Sequence, residues 1–175
     1  IAKYNSSGTL QWQRQYVSGA GYPGATGVGC DSSENIYVGV YDGTYSSLLK
    51  YNSSGTLQWQ RRLTSGATIT GAKALAVDAS GNAFVAVVSQ STYASAVLLK
   101  YNTSGTLQWQ RRLNFASSDI HVRAVSIDSS GNSYVTGMAI VSGTTRGFIA
   151  KYNSSGTLQW QRYLYITSPG GYATD

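Results

Sequence analysis

Lys3-Tyr4-Asn5-Ser6-Ser7-Gly8-Thr9-Leu10-Gln11-Trp12-Gln13-Arg14 decides the fold, because the chain repeats it. Further copies start at Lys50, Lys100 and Lys151. Those at Lys50 and Lys151 are identical to the first over all these positions, and the copy at Lys100 differs only at Thr103. The copies fall 47, 50 and 51 residues apart. A second motif lies between them. It runs Asp31-Ser32-Ser33-Glu34-Asn35-Ile36-Tyr37-Val38, then Asp78-Ala79-Ser80-Gly81-Asn82-Ala83-Phe84-Val85, then Asp128-Ser129-Ser130-Gly131-Asn132-Ser133-Tyr134-Val135. Self-similarity at a period of roughly 20–50 residues is the signature of a repeat architecture, in which one unit cannot bury its apolar faces alone.

Each unit reads as four short strands. In the unit around the second motif's middle copy, strand A lies near Ala72–Val77, B near Ala83–Val88, C near Ala96–Tyr101 and D near Thr106–Leu113. All are rich in β-branched, aromatic or leucine side chains and bounded by turn residues. No segment sustains a helical apolar period, so no helix is predicted. Asp-x-Ser-Gly-Asn between A and B, and Asn-x-Ser-Gly between C and D, are tight hairpin loops. Their Asp or Asn closes a turn on its own backbone, and Gly supplies a positive φ. Glu34 stands where the other A–B loops have Gly81 and Gly131. That turn is therefore expected to be strained or of another type.

The unit seen in full at Ala76–Arg111 resembles the bacterial seven-bladed β-propeller repeat family. It begins Ala76-Val77-Asp78-Ala79-Ser80-Gly81-Asn82-Ala83-Phe84-Val85 and ends Leu98-Leu99-Lys100-Tyr101-Asn102-Thr103-Ser104-Gly105-Thr106-Leu107-Gln108-Trp109-Gln110-Arg111. The resemblance covers nearly the whole chain. It implies an all-β fold of four-stranded blades stacked face to face. It carries over no catalytic residue, because that family shares none. Four C–D hairpins but three A–B hairpins give three full blades plus a half-blade. The expected division is an outer half-blade at 1–16, blades at 17–63, 64–113 and 114–164, and the start of a further connection at 165–175. Seven such units need about 340 residues, so the chain is expected to be part of a larger, seven-bladed ring and a piece of a longer polypeptide. The alternative is an open, solenoid-like stack.

Composition bounds the function. Charged residues are only 11 %, and Ser, Thr, Gly, Gln and 14 Tyr take their place, which is the profile of β structure with polar faces. The single cysteine, Cys30, excludes an internal disulfide framework. No apolar run reaches the roughly 20 residues of a membrane-spanning helix, so membrane insertion is not expected. One His, one Cys and seven acidic residues include no nucleophile elbow, phosphate loop, zinc spacing or paired carboxylate. The chain is therefore expected to be no enzyme and to hold no cofactor or metal.

The repeated residues read as structural. Trp12, Trp59, Trp109 and Trp160 recur in Leu-Gln-Trp-Gln-Arg, where alternation puts Leu, Trp and Arg on one strand face. They are expected to pack between blades rather than to form a ring of stacking platforms. Gly8, Gly55, Gly105 and Gly156 are turn glycines. Asp31, Asp78 and Asp128 lack the alternating oxygen ligands of a calcium loop and read as turn residues. Asn5, Asn52, Asn102 and Asn153 head glycosylation sequons but serve equally as turn residues. Ten of the thirteen basic residues belong to the repeat, so the net charge of +6 is one decoration multiplied. Spread around a perimeter, those charges fit protection of strand edges better than a nucleic-acid groove.

Variation between units marks where function would sit. The A–B and C–D loops hardly change, whereas the B–C connections (41–47, 89–95, 139–147) and D–A connections (15–27, 63–71, 114–123, 163–175) differ in every unit. In a propeller the two sets emerge on opposite faces. The variable set carries Tyr16, Tyr22, Tyr41, Tyr45, Tyr93, Phe115, His121, Arg123 and Arg146 among Ser, Gly and Thr. Tyr with small polar neighbours is the chemistry of adaptable binding loops. The expectation is a non-enzymatic binding or structural module, extracellular, on a cell surface or a virion such as a phage tail fibre. Its partner would be a protein or glycan; the alternative is an architectural spacer contacting other subunits of an assembly, and a third reading is a propeller enzyme whose chemistry lies outside these residues.

Overall fold

The computed structural model describes residues 1–17, 24–64, 68–90, 94–115 and 119–164. Among them the regular structure is entirely β. β1 (Ala2–Tyr4) and β2 (Leu10–Gln13) form a two-stranded hairpin. Three four-stranded antiparallel sheets follow in chain order. The first holds β3 (Gly24–Cys30), β4 (Ile36–Tyr41), β5 (Ser46–Tyr51) and β6 (Leu57–Arg62). The second holds β7 (Thr68–Val77), β8 (Ala83–Gln90), β9 (Ala94–Tyr101) and β10 (Leu107–Arg112). The third holds β11 (Asp119–Ile127), β12 (Ser133–Val141), β13 (Thr144–Tyr152) and β14 (Leu158–Leu164). Each sheet is a simple meander in the A-B-C-D order read from the sequence, and the N-terminal hairpin supplies C and D alone. No helix long and apolar enough to cross a membrane occurs among the described residues.

Sheets stack face to face, with the A strands β3, β7 and β11 adjacent. Period-two alternation then divides each sheet's side chains between two neighbours. In the second sheet Ala83, Val85, Val87, Val97, Leu99 and Tyr101 pack toward the first. Their sequence neighbours Phe84, Ala86, Ala96 and Leu98 pack toward the third. Both faces are buried, which is why β8 and β9 read as nearly continuous apolar runs. A smaller core of Trp12, Val38, Val40, Leu49 and Tyr51 joins the N-terminal hairpin to the first sheet. Every junction thus has its own core.

Two register features depart from simple alternation. In all four C–D hairpins the pairing slips by one residue at the Gln between Leu and Trp: Leu57 pairs with Tyr51, yet Trp59 pairs with Lys50. The bulge puts Leu out of phase with Trp, contrary to the alternation expected from sequence. Leu10, Leu57, Leu107 and Leu158 accordingly remain 41–47 % exposed. In the A strands the slip falls at Thr26, Lys73 and Arg123. The strands are also longer than predicted. β13 begins at Thr144 and β12 ends at Val141, so the expected loop at 139–147 shrinks to a turn at Ser142-Gly143.

Candidate functional site

The residues shared by every unit are engaged by the next unit. Trp12 Nε1 donates to the Ser53 carbonyl at 2.9 Å, Trp59 to Thr103 at 3.0 Å and Trp109 to Ser154 at 3.2 Å. The Nε of Arg14, Arg61 and Arg111 donates to the carbonyls of Gly55, Gly105 and Gly156 at 2.6–2.8 Å. Each Trp ring lies directly on that Gly: a Cβ at Gly55, Gly105 or Gly156 would stand 2.6–2.8 Å from the indole. The glycines also hold φ of 74–79°. Glycine is thus required twice over, by left-handed backbone and by contact. The lysines join in. Lys50 Nζ donates to the Thr103 carbonyl and hydroxyl at 3.1 and 2.6 Å, and Lys100 Nζ to the Ser154 carbonyl at 3.0 Å. Lys50 is only 8 % exposed. Arg14, Arg61, Arg111, Lys50 and Lys100 are therefore inter-sheet donors, a role the perimeter reading did not include.

The aspartate turns are self-contained. Asp128 Oδ1 accepts from the amides of Ser130 and Asn132, and Oδ2 accepts from Asn132 Nδ2 and the Tyr134 hydroxyl, all at 2.8–3.1 Å. The Asn132 side chain first, with those amides and Tyr134, holds the Asp128 carboxyl below the usual aspartate range. At Asp31 burial pushes the carboxyl up, but hydrogen bonds from Asn35 and Ser33 and the Lys50 charge outweigh it and the net shift is downward. With their lone pairs occupied by the turn, these groups are poorly placed to take a cation. No group of three or more His, Cys, Asp or Glu that could hold a metal ion occurs among the described residues.

Residues 108–143 match a family model described as a beta-propeller repeat. Over that stretch the chain is similar to a β-propeller repeat, and its repeated four-stranded antiparallel sheets are consistent with propeller blades. No curated protein matches it. The four-stranded sheets are its blades, and the residues that differ between blades can be placed on them. Tyr22 and Tyr93 lie outside the described residues. Phe115, expected on a variable loop, is buried at 4 % exposure, 4.4 Å from Phe148 and 5.4 Å from Tyr163 between ring centroids. It belongs to the core of the last junction. His121 and Arg123 lie on β11, not in the preceding connection, and Arg146 lies on β13. Tyr41 is half-buried and donates its hydroxyl to the Gly43 carbonyl at 2.8 Å. Tyr16 is half-buried beside Arg14, Ala25, Val38, Val40 and Leu49, lining a cleft of 520 Å³ between the N-terminal hairpin and the first blade. A and B strands cover the equivalent face of the later blades. Here β1 and β2 leave Val38 and Val40 facing the cleft.

Other variable residues do gather at the B–C and D–A ends of the blades. Arg62 stacks on the Tyr45 ring, 3.1 Å from its centroid. Asp42 Oδ1 accepts from the Thr44 and Tyr45 amides and pins that loop. In the third blade Arg146 lies over Tyr163 at 5.9 Å. Counted from the shared Lys and Trp, Arg146 occupies Tyr45's position and Tyr163 occupies Arg62's. The same cation–aromatic pair is present with its members exchanged. Arg123 is a bulged residue of the innermost strand, and so is Lys73, whose role the sequence did not reveal. Both are exposed. On β11 the His121 ring meets Asp119 Oδ2 at 2.9 Å, with half the His side chain open to solvent.

Proposed function

We propose that this chain is a non-catalytic binding module whose recognition surface is the variable end of the blades and its inner strand bulges. One observation carries the reading. Among the described residues, the shared Trp, Arg and Lys of the first hairpin and first two blades are engaged across blade junctions. The cations outside the repeat, Lys73, Arg123 and Arg146, instead stand at bulges or strand starts. Loops and edges on a rigid scaffold are the usual seat of recognition. Exposed aromatic–guanidinium pairs offer flat apolar faces beside hydrogen-bond donors, which suits a glycan or a protein surface. The low charge and abundant Ser, Thr and Tyr fit an extracellular setting, on a cell surface or a virion fibre. A spacer role is the second reading, favoured by the three nearly identical blade junctions.

Screening the chain on a glycan array and against surface proteins of candidate hosts separates the two. A bound ligand should lose at least tenfold in affinity, about 1.4 kcal/mol, on Tyr45→Ala or Arg123→Ala, with thermal unfolding unchanged. If nothing binds, or binding ignores both substitutions, the spacer reading takes its place.

A further inference from the structure

Lys73 and Arg123 stand apart from the other cations of the chain. Each is the extra residue of a bulge in an A strand, five residues before the Asp of its A–B turn. Thr26 holds the same place in the first blade. Lys73 is exposed although its blade is packed on both faces. Ala72 and Ala74, which flank it, are 2 % and 9 % exposed, and each belongs to a different blade junction. The bulge thus turns its residue out of both junctions.

Neighbouring A strands approach closely. A Cβ at Gly27 would stand 3.1 Å from that of Leu75, and Ala74 shares a core with Ile120 and Val122. The bulges of β7 and β11 therefore lie at one level on adjacent strands. Lys73 leans toward the variable end of its blade, where its Nζ is 3.2 Å from the place a Cβ of Gly71 would take. The chain's own carboxylates are engaged elsewhere. Asp31, Asp42, Asp78 and Asp128 accept within their own turns, Glu34 pairs with Lys3, and Asp119 with His121. Asp175 lies outside the described residues. Among the described residues the Lys73 ammonium and Arg123 guanidinium make no hydrogen bond, ion pair or ring contact. Two like charges on adjacent strands with no internal counter-charge favour an external anion.

We propose that Lys73 and Arg123 form one subsite for the carboxylate or sulfate of an acidic glycan, an assignment that rests on the binding-module reading. The guanidinium offers a fork for a planar anion and the ammonium a point charge beside it. The Thr26 hydroxyl, at the same position one blade away, suits a neutral sugar hydroxyl. Nucleic acid fits less well: β3, β7 and β11 carry no Tyr, Trp or Phe on which bases would stack.

Calorimetric titration of the 175-residue chain with a short oligogalacturonate and with a sulfated heparin oligosaccharide tests this and tells carboxylate from sulfate. At least one should bind, more weakly as salt is raised. Lys73→Gln and Arg123→Gln should each weaken it about tenfold, with an unchanged circular dichroism spectrum. The double variant should lose less than the product of the two single losses, because both side chains hold one anion. Arg112→Gln removes the same charge from β10, away from the bulges, and should weaken binding less than about threefold. Binding of neither oligosaccharide, or an equal loss on Arg112→Gln, would overturn the proposal. Polyglutamate bound as tightly through the same two residues would overturn the glycan in favour of an acidic peptide. A neutral glycan or protein lost on Tyr45→Ala but indifferent to both bulge cations would leave the binding module standing and remove this subsite.

Discussion

Glu34 shows how little the turn geometry yields to side-chain identity. It adopts φ 60° and its amide donates to the Asp31 carbonyl at 3.1 Å, the same closure that Gly81 and Gly131 make at 3.0 and 2.9 Å. The turn type is kept and the strain is accepted, which settles the choice left open by the sequence. Its ion pair with Lys3, 2.5 Å long, is solvent-exposed on the Glu side and contributes little. Left-handed backbone costs a non-glycine residue about 1–2 kcal/mol, so Glu34→Gly should raise stability by about 1 kcal/mol in urea titration. A loss of stability would mean that the Lys3 contact outweighs the backbone. The Asp turns carry a pH dependence of their own. Folding lowers the Asp128 and Asp31 carboxyls below their unfolded values. Their contribution is therefore complete above the ordinary aspartate range and lost as pH falls through the depressed folded values. Thermal stability should be flat from neutrality to about pH 5 and decline below about pH 4. Asp128→Asn should flatten part of that decline, and an unaltered acid profile would assign it to other groups.

Among the elements, the C–D hairpin makes the blade junction, and its contacts separate what the sequence could disclose from what it could not. Repetition alone located the strands, their order and the structural role of Trp, because a residue present in every unit serves the unit. The bulge at Gln58 and its equivalents was not legible. Strict alternation groups Leu57 with Trp59, and only the pairing register shows that one extra residue intervenes. The same blindness misplaced Arg123: a bulge in β11 is invisible to a period-two reading, so the residue looked like loop. Phe115 looked like loop for another reason, since its burial depends on Phe148 and Tyr163 from the far side of the blade. For the junction itself, Trp109 packs edge-on to Phe84 at 5.8 Å and is only half-buried. Trp109→Ala should therefore cost about 2–3 kcal/mol, below the roughly 3–5 kcal/mol of a fully enclosed site. Gly156→Ala should match it in sign by pushing on the same indole from the other side. Urea unfolding of both variants checks the pair, and a neutral Gly156→Ala would show that the ring can move aside.

Considered whole, the molecule is a one-dimensional stack in which each blade touches only its neighbours, so stability is a sum of blade and junction contributions and need not be uniform. The middle blade is sealed on both faces: Ala83 to Val87 in β8, and Ala96, Leu98 and Leu99 in β9, are 0 % exposed. The third blade keeps one open face, where Thr136, Met138 and Ile149 are half-exposed. The N-terminal hairpin has two strands and a single junction, and Tyr4 and Leu10 stand in solvent. An isolated two-stranded hairpin is marginal in water, so β1–β2 persists through its junction with the first blade, made chiefly by Trp12 and Arg14. Amide hydrogen exchange should follow this order, with β8 and β9 slowest, β12 and β13 faster, and β1–β2 fastest. Trp12→Ala should release β1–β2 while leaving β8 and β9 protected. Uniform protection across all blades would instead mean that the stack opens as a single cooperative unit.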